Sequence, residues 1–89
     1  MTIHRRAAKR DGNEAEIVQV LRAAGATVLE LSGDSIPDLA VHHHSRWYLL
    51  EVKTLKGKLR ASQNWHETIS PDAVQVVRTW QEALEAVGG

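Results

Sequence analysis

The chain has 89 residues, with eleven Lys and Arg balanced by eleven Asp and Glu to a formal net charge of zero, and it has no cysteine. A chain this short is one domain that buries only about 60 to 65% of its unfolded surface, a thin core of the kind that leans on a staple, a metal or a second subunit. Without cysteine, disulfides and thiolate zinc sites are excluded. No apolar run approaches the ~18 residues of a membrane span, and Met1 to Arg10 lacks the apolar stretch of a signal peptide, so a soluble cytoplasmic protein is expected.

The zero balance hides a pattern. Eight of the eleven cationic residues fall into two clusters, Arg5, Arg6, Lys9 and Arg10 at the start and Lys53, Lys56, Lys58 and Arg60 in the middle. Local basic patches attract phosphate even when acids elsewhere cancel the sum; the plainer alternative is two solvated charge runs. Residues 1–10 read as a basic arm and residues 11–89 as a single domain.

Asp11 and Glu14 have capping-box spacing ahead of Ile17, Val18, Val20, Leu21 and Ala24, and Gly25 supplies a stop, which predicts a helix from about Gly12 to Ala24. Thr27 to Leu31 is β-branched and apolar and reads as a strand, followed by loop chemistry from Ser32 to Pro37. Asp38 to His42 and Trp47 to Thr54 are β-rich runs around a polar connector, a hairpin whose almost continuous apolar character predicts cover on both faces. Leu55 to Ala61 is a basic loop, Ser62 opens a short helix through Ile69, and Pro71-Asp72 marks a turn. Ala73 to Val77 is a strand, and Thr79 caps a last helix that ends at Gly88-Gly89. The order is α-β-β-β-α-β-α. An α/β fold follows, with a four-stranded mixed sheet flanked by helices: the first three strands form an antiparallel meander, and the fourth lies parallel to the third.

Placing the hairpin turn on His44-Ser45 pairs His43 with Arg46, His42 with Trp47, Val41 with Tyr48, Ala40 with Leu49, Leu39 with Leu50, and Asp38 with Glu51. Two carboxylates then stand opposite each other, where like charges repel. Protonation of one, exposure to solvent, or a bound cation would offset the repulsion. Period-two alternation puts Lys53 on the face of Glu51 and turns Val52 into the core. Hard oxygen donors without His or Cys suit Mg²⁺ or Mn²⁺, of which Mg²⁺ takes one or two carboxylates and leaves room for water and substrate phosphate. That is the composition of a phosphoryl-transfer site.

Ile36-Pro37-Asp38-Leu39 followed by Leu49-Leu50-Glu51-Val52-Lys53 resembles the PD...ExK signature of the PD-(D/E)XK nuclease superfamily, whose restriction-endonuclease-like core has the same order of elements. The wider pattern is similar to the VRR-NUC branch of small virus-type nucleases. It includes Arg10-Asp11-Gly12-Asn13-Glu14-Ala15-Glu16-Ile17-Val18, Ala23-Ala24-Gly25, Lys58-Leu59 and Gln63-Asn64-Trp65-His66. These matches run from Arg10 to about His66. The resemblance implies a metal-dependent deoxyribonuclease of a bacterial or phage-infected cell. Asp38, Glu51 and the Val52 backbone carbonyl would hold Mg²⁺ or Mn²⁺, and Lys53 would orient or deprotonate the attacking water. It also implies a helix carboxylate in the outer shell. Helical phase favours Glu14 and the small viral subgroup favours the second position, Glu16, which is the expectation. Gln63 would touch the active-site face, and Arg5, Arg6, Lys9, Arg10, Lys56, Lys58 and Arg60 would contact DNA. Relatives of this size are dimers acting on branched DNA such as four-way junctions, flaps or forks, and a two-fold pair of sites matches a symmetric junction. The family has Thr-Pro after Lys-Leu where this chain has Arg60-Ala61, which bears on substrate contacts.

Blander readings stand beside these. Asp38 can be a turn cap, and Glu51 with Lys53 a surface ion pair of little worth, although the apolar flanks argue against exposure. His42-His43-His44 reads as a polar hairpin tip, since neighbouring residues of a strand cannot all grip one ion. Trp47 and Trp65 are expected in core or subunit contacts, and Trp80 packs the last helix. Two competing functions remain: a non-catalytic DNA-binding subunit that keeps the nuclease fold, and a metal-binding regulator using the histidine run.

Overall fold

The computed structural model describes residues 12–33, 36–54 and 69–89. Helix α1 spans Glu14–Ala23 and buries Glu14, Ile17, Val18 and Leu21, which share one helical face, while Glu16, Gln19 and Arg22 are exposed. It ends as Gly25 requires. With Gly25 at φ +100, its N–H bonds to the Arg22 carbonyl at 3.0 Å and the Ala26 N–H reaches back to the Leu21 carbonyl at 3.0 Å, a Schellman stop. The start differs from expectation: the N-cap is Asn13, whose side chain makes no bond to its own helix. Asp11, the expected capping residue, lies outside the described residues.

Strands β1 (Thr27–Glu30), β2 (Leu39–His43), β3 (Arg46–Val52) and β4 (Val74–Val77) form one sheet in the order β1-β2-β3-β4. The first three pair antiparallel, and β4 runs parallel to β3. The β2–β3 turn is His44-Ser45, with φ 53 and 67. Two left-handed residues give a turn whose twist matches the strands. The register from His43–Arg46 to Leu39–Leu50 is the one the sequence predicts. The crossover helix expected from Ser62 through Ile69 falls, up to residue 68, outside the described residues, and a 3-10 turn at Pro71–Ala73 leads into β4. Helix α2 (Trp80–Ala86) is capped by Thr79, whose side chain accepts from the Glu82 N–H at 3.1 Å.

The two described helices lie on one face of the sheet. Val28, Leu39, Val41, Leu50, Val52 and Val77 meet Ile17, Val18 and Leu21 of α1 together with Ala83 and Val87 there, and Trp80 packs against this core. Each large side chain buried here contributes about 1.5 to 3 kcal/mol. The expectation that the hairpin strands are covered on both faces holds at one end only. Strand β3 begins in solvent, with Trp47 59% exposed, and reaches full burial at Leu50, Glu51 and Val52. The covered end is the end that carries the acidic and basic residues singled out above. Among the described residues no helix is long and apolar enough to cross a membrane.

Candidate active site

The site begins where the β2–β3 ladder stops. Pro37 is fully buried and cannot donate to a strand, so the last paired residues are Leu39 and Leu50. One step further the same register would bring Asp38 level with Glu51, but the pairing stops there and Asp38 lies in a bend. The Asp38 carbonyl still accepts from the Leu31 N–H at 2.8 Å, which keeps its backbone in line with β1. Its side chain turns to β3, where Oδ2 accepts the Val52 N–H at 2.8 Å in place of the strand carbonyl that is missing there. A strand residue's own N–H and C=O point to the same side, so the Val52 carbonyl faces the side on which Asp38 sits.

Glu51 is 3% exposed, and its Oε2 lies 3.9 Å from Nζ of Lys53, whose side chain is 12% exposed. At that separation the two form an ion pair and not a direct hydrogen bond. Leu50 and Val52 point into the core on the opposite face, so alternation puts Glu51 and Lys53 together as the sequence predicts. A surface ion pair is therefore excluded. The buried Glu51 carboxylate and the Lys53 ammonium thus stand as a pair at the end of β3, and the Asp38 carboxylate is tied to the neighbouring Val52 N–H.

The other expected residues divide. Of the two helix carboxylates, Glu14 is buried and Glu16 is exposed. Glu14 also follows Asn13, whose Nδ2 donates to the Lys53 carbonyl at 2.9 Å and to the Arg78 carbonyl at 2.8 Å, so the acidic start of α1 sits against the end of β3. Among the described residues no three His, Cys, Asp or Glu side chains gather closely enough to hold a metal by themselves. Glu14 is accordingly not in one tight cluster with Asp38 and Glu51. Gln63 and the cationic residues Arg5, Arg6, Lys9, Arg10, Lys56, Lys58 and Arg60 lie outside the described residues, as do Trp65 and His66.

The histidine run is a polar tip only in part: His44 is exposed at the turn, but His43 is not. His43 continues the alternation of Leu39 and Val41 and is buried, with Nε2 lacking a hydrogen-bond partner among the described residues. His42 instead leans on Trp47, ring centroids 5.0 Å apart. Sequence reasoning missed Asn13. It stood within the Arg10–Val18 pattern and inside the expected helix, and nothing in either marked a side chain that would leave the helix for the strand ends.

A scan of protein-family models and a search of curated proteins both give no match. Among solved structures the chain is similar to one described as a VRR_NUC domain. The identity is 23%, the TM-score 0.61, and the match covers 84% of this chain and 94% of that one. The chain has that domain's fold, a four-stranded mixed sheet flanked by helices.

Proposed function

We propose that this chain is a divalent-metal-dependent nuclease of the VRR-NUC type that hydrolyses phosphodiester bonds in DNA. The observation that supports the reading is the buried Glu51 carboxylate 3.9 Å from the Lys53 ammonium at the end of β3, beside the Val52 N–H that the Asp38 carboxylate accepts. The residues present fit Mg²⁺ or Mn²⁺. Asp38 and Glu51 supply carboxylate oxygens and Val52 a backbone carbonyl, all hard donors, on a fold with no thiolate. When bound, such an ion supplies Lewis-acid stabilisation of the phosphate and a more acidic water.

The chain's own groups do the rest. Lys53 holds the attacking water toward phosphorus and stabilises charge that develops on the phosphate oxygens. Asp38 is held in place by the Val52 N–H, so its carboxylate does not have to be ordered at the moment of reaction. Glu14, buried beside the end of β3, is the outer carboxylate in preference to Glu16. The two basic clusters bind the DNA backbone and Gln63 contacts the active-site face. Trp47 and Leu29 are exposed hydrophobics, 59% and 48%. This surface supports a homodimer, whose paired sites suit a branched DNA substrate.

Labelled duplex, flap, fork and four-way-junction DNA, incubated with and without Mg²⁺ or Mn²⁺, tests the reading. Metal-dependent products are expected, most abundant from branched DNA. Binding without cleavage in either metal favours the non-catalytic DNA-binding subunit instead.

A further inference from the structure

We propose that Asn13 is a positioning residue that sets Lys53 and Glu14 for the metal-dependent chemistry; the inference rests on the nuclease reading above. The ladder that fixes β3 ends at Val52. Beyond it, Lys53 is held to the sheet through its N–H, which bonds to the Val77 carbonyl at 3.0 Å. Its carbonyl is held by a side chain instead. Asn13 Nδ2 donates to it at 2.9 Å and, with its other hydrogen, to the Arg78 carbonyl at 2.8 Å. Carbonyls only accept, so these two partners fix which way the amide points.

Asn13 is also the N-cap of α1, directly before the buried Glu14. An N-cap asparagine ordinarily accepts a hydrogen bond from its own helix. Here the side chain makes no such bond, and its Oδ1 is buried without a hydrogen-bond partner among the described residues. The amide is thus turned away from the helix and committed to the strand ends. Arg78 reinforces the same stretch, its Nη1 donating to the Thr54 carbonyl at 2.6 Å. A single amide therefore joins the helix carboxylate to the backbone of the lysine, and loss of that amide moves both.

The test uses the full chain with Asn13→Leu, which keeps the branched skeleton of the side chain without its donors, and Asn13→Ala. Gln19→Ala, on the exposed face of α1, is the control. Mn²⁺ affinity of the chain alone is read by calorimetry, kcat and KM on labelled branched DNA, and the thermal midpoint by circular dichroism. Both Asn13 variants, folded at the assay temperature, are expected to lose about 10- to 100-fold in Mn²⁺ affinity or kcat while KM for DNA holds, the range typical of residues that orient ligands. Gln19→Ala should match the wild type. Folded Asn13 variants with wild-type kcat and Mn²⁺ affinity overturn the proposal. If both unfold, Asn13→Ser, which keeps one short donor, decides: a folded variant with reduced kcat supports the proposal, and one with wild-type kcat overturns it. Unfolding of all three makes Asn13 a determinant of the fold alone and also overturns it. A wild-type chain that binds Mn²⁺ yet cuts no DNA removes the nuclease reading separately, and the Mn²⁺ affinities then decide on Asn13 by themselves.

Discussion

Replacing Lys53 with Met removes the ammonium 3.9 Å from Glu51 and keeps most of the aliphatic stem. At an effective dielectric of 20, two unit charges at about that distance attract by ~4 kcal/mol, and removing one partner of a buried pair costs about 3 to 5 kcal/mol. Lys53 keeps 12% side-chain exposure against 3% for Glu51, so water offsets part of the loss. A cost of about 2 to 3 kcal/mol remains, and at about 4 to 8 °C per kcal/mol for a domain this small the melting midpoint should fall by ~10 to 20 °C. The deficit is a missing positive charge beside a buried carboxylate. Mn²⁺ should supply it: at about 100 times its Kd a ligand adds ~2.7 kcal/mol, and without the repelling ammonium Kd should be lower than in the wild type. The assay is thermal denaturation of wild type, Lys53→Met and Lys53→Met/Glu51→Gln, with and without Mn²⁺ at fixed chain concentration. The double variant should regain most of the midpoint and lose most of the metal response. A Lys53→Met midpoint close to that of the wild type, or equal Mn²⁺ shifts in all three, would refute the electrostatic account of the Glu51–Lys53 pair.

Asp38→Asn keeps an oxygen for the Val52 N–H, so its midpoint should stay near that of the wild type while cleavage, followed by gel, falls by about a hundredfold or more. Asp38→Ala strands that N–H and should also cost about 1 to 3 kcal/mol in denaturant titration. Glu14→Gln should lower kcat by about tenfold or more, and Glu16→Gln should leave it near wild type; the reverse order in steady-state kinetics would return the outer role to Glu16. Trp47→Ala should weaken the proposed dimer about 30-fold, the ~2 kcal/mol of a central aromatic contact, read by sedimentation. A wild-type mass that stays monomeric at every concentration counts against the dimer altogether.

The hairpin was legible because two constraints agreed. The polar connector admitted a two-residue turn at His44-Ser45, and the apolar runs on either side fixed the faces, so the register down to Leu39–Leu50 followed by counting. The parallel placing of β4 followed from the length of chain between it and β3. His43 was legible too, since its alternation with Leu39 and Val41 marked it as inward, but three adjacent histidines drew the eye to polarity instead. The choice between Glu14 and Glu16 turned on helix phase, which had pointed to Glu14, the acid that the structure buries. Asn13 was not legible. Its partners are 40 and 65 residues away, and no local pattern reports where a side chain goes when it leaves its own helix.

That span bears on the order in which the molecule folds. Asp38, Glu51 and Lys53 belong to one hairpin, whose short loop closes early and at little entropic cost. The amide of Asn13 reaches Lys53 and Arg78 only after the first helix and the last strand have both docked, contacts of high sequence separation that form late. On the nuclease reading, the proposed reactive groups would come together before they are locked. A growing or partly opened chain would carry the acids and the lysine without the closure that aligns them, and cutting would be a property of the finished fold.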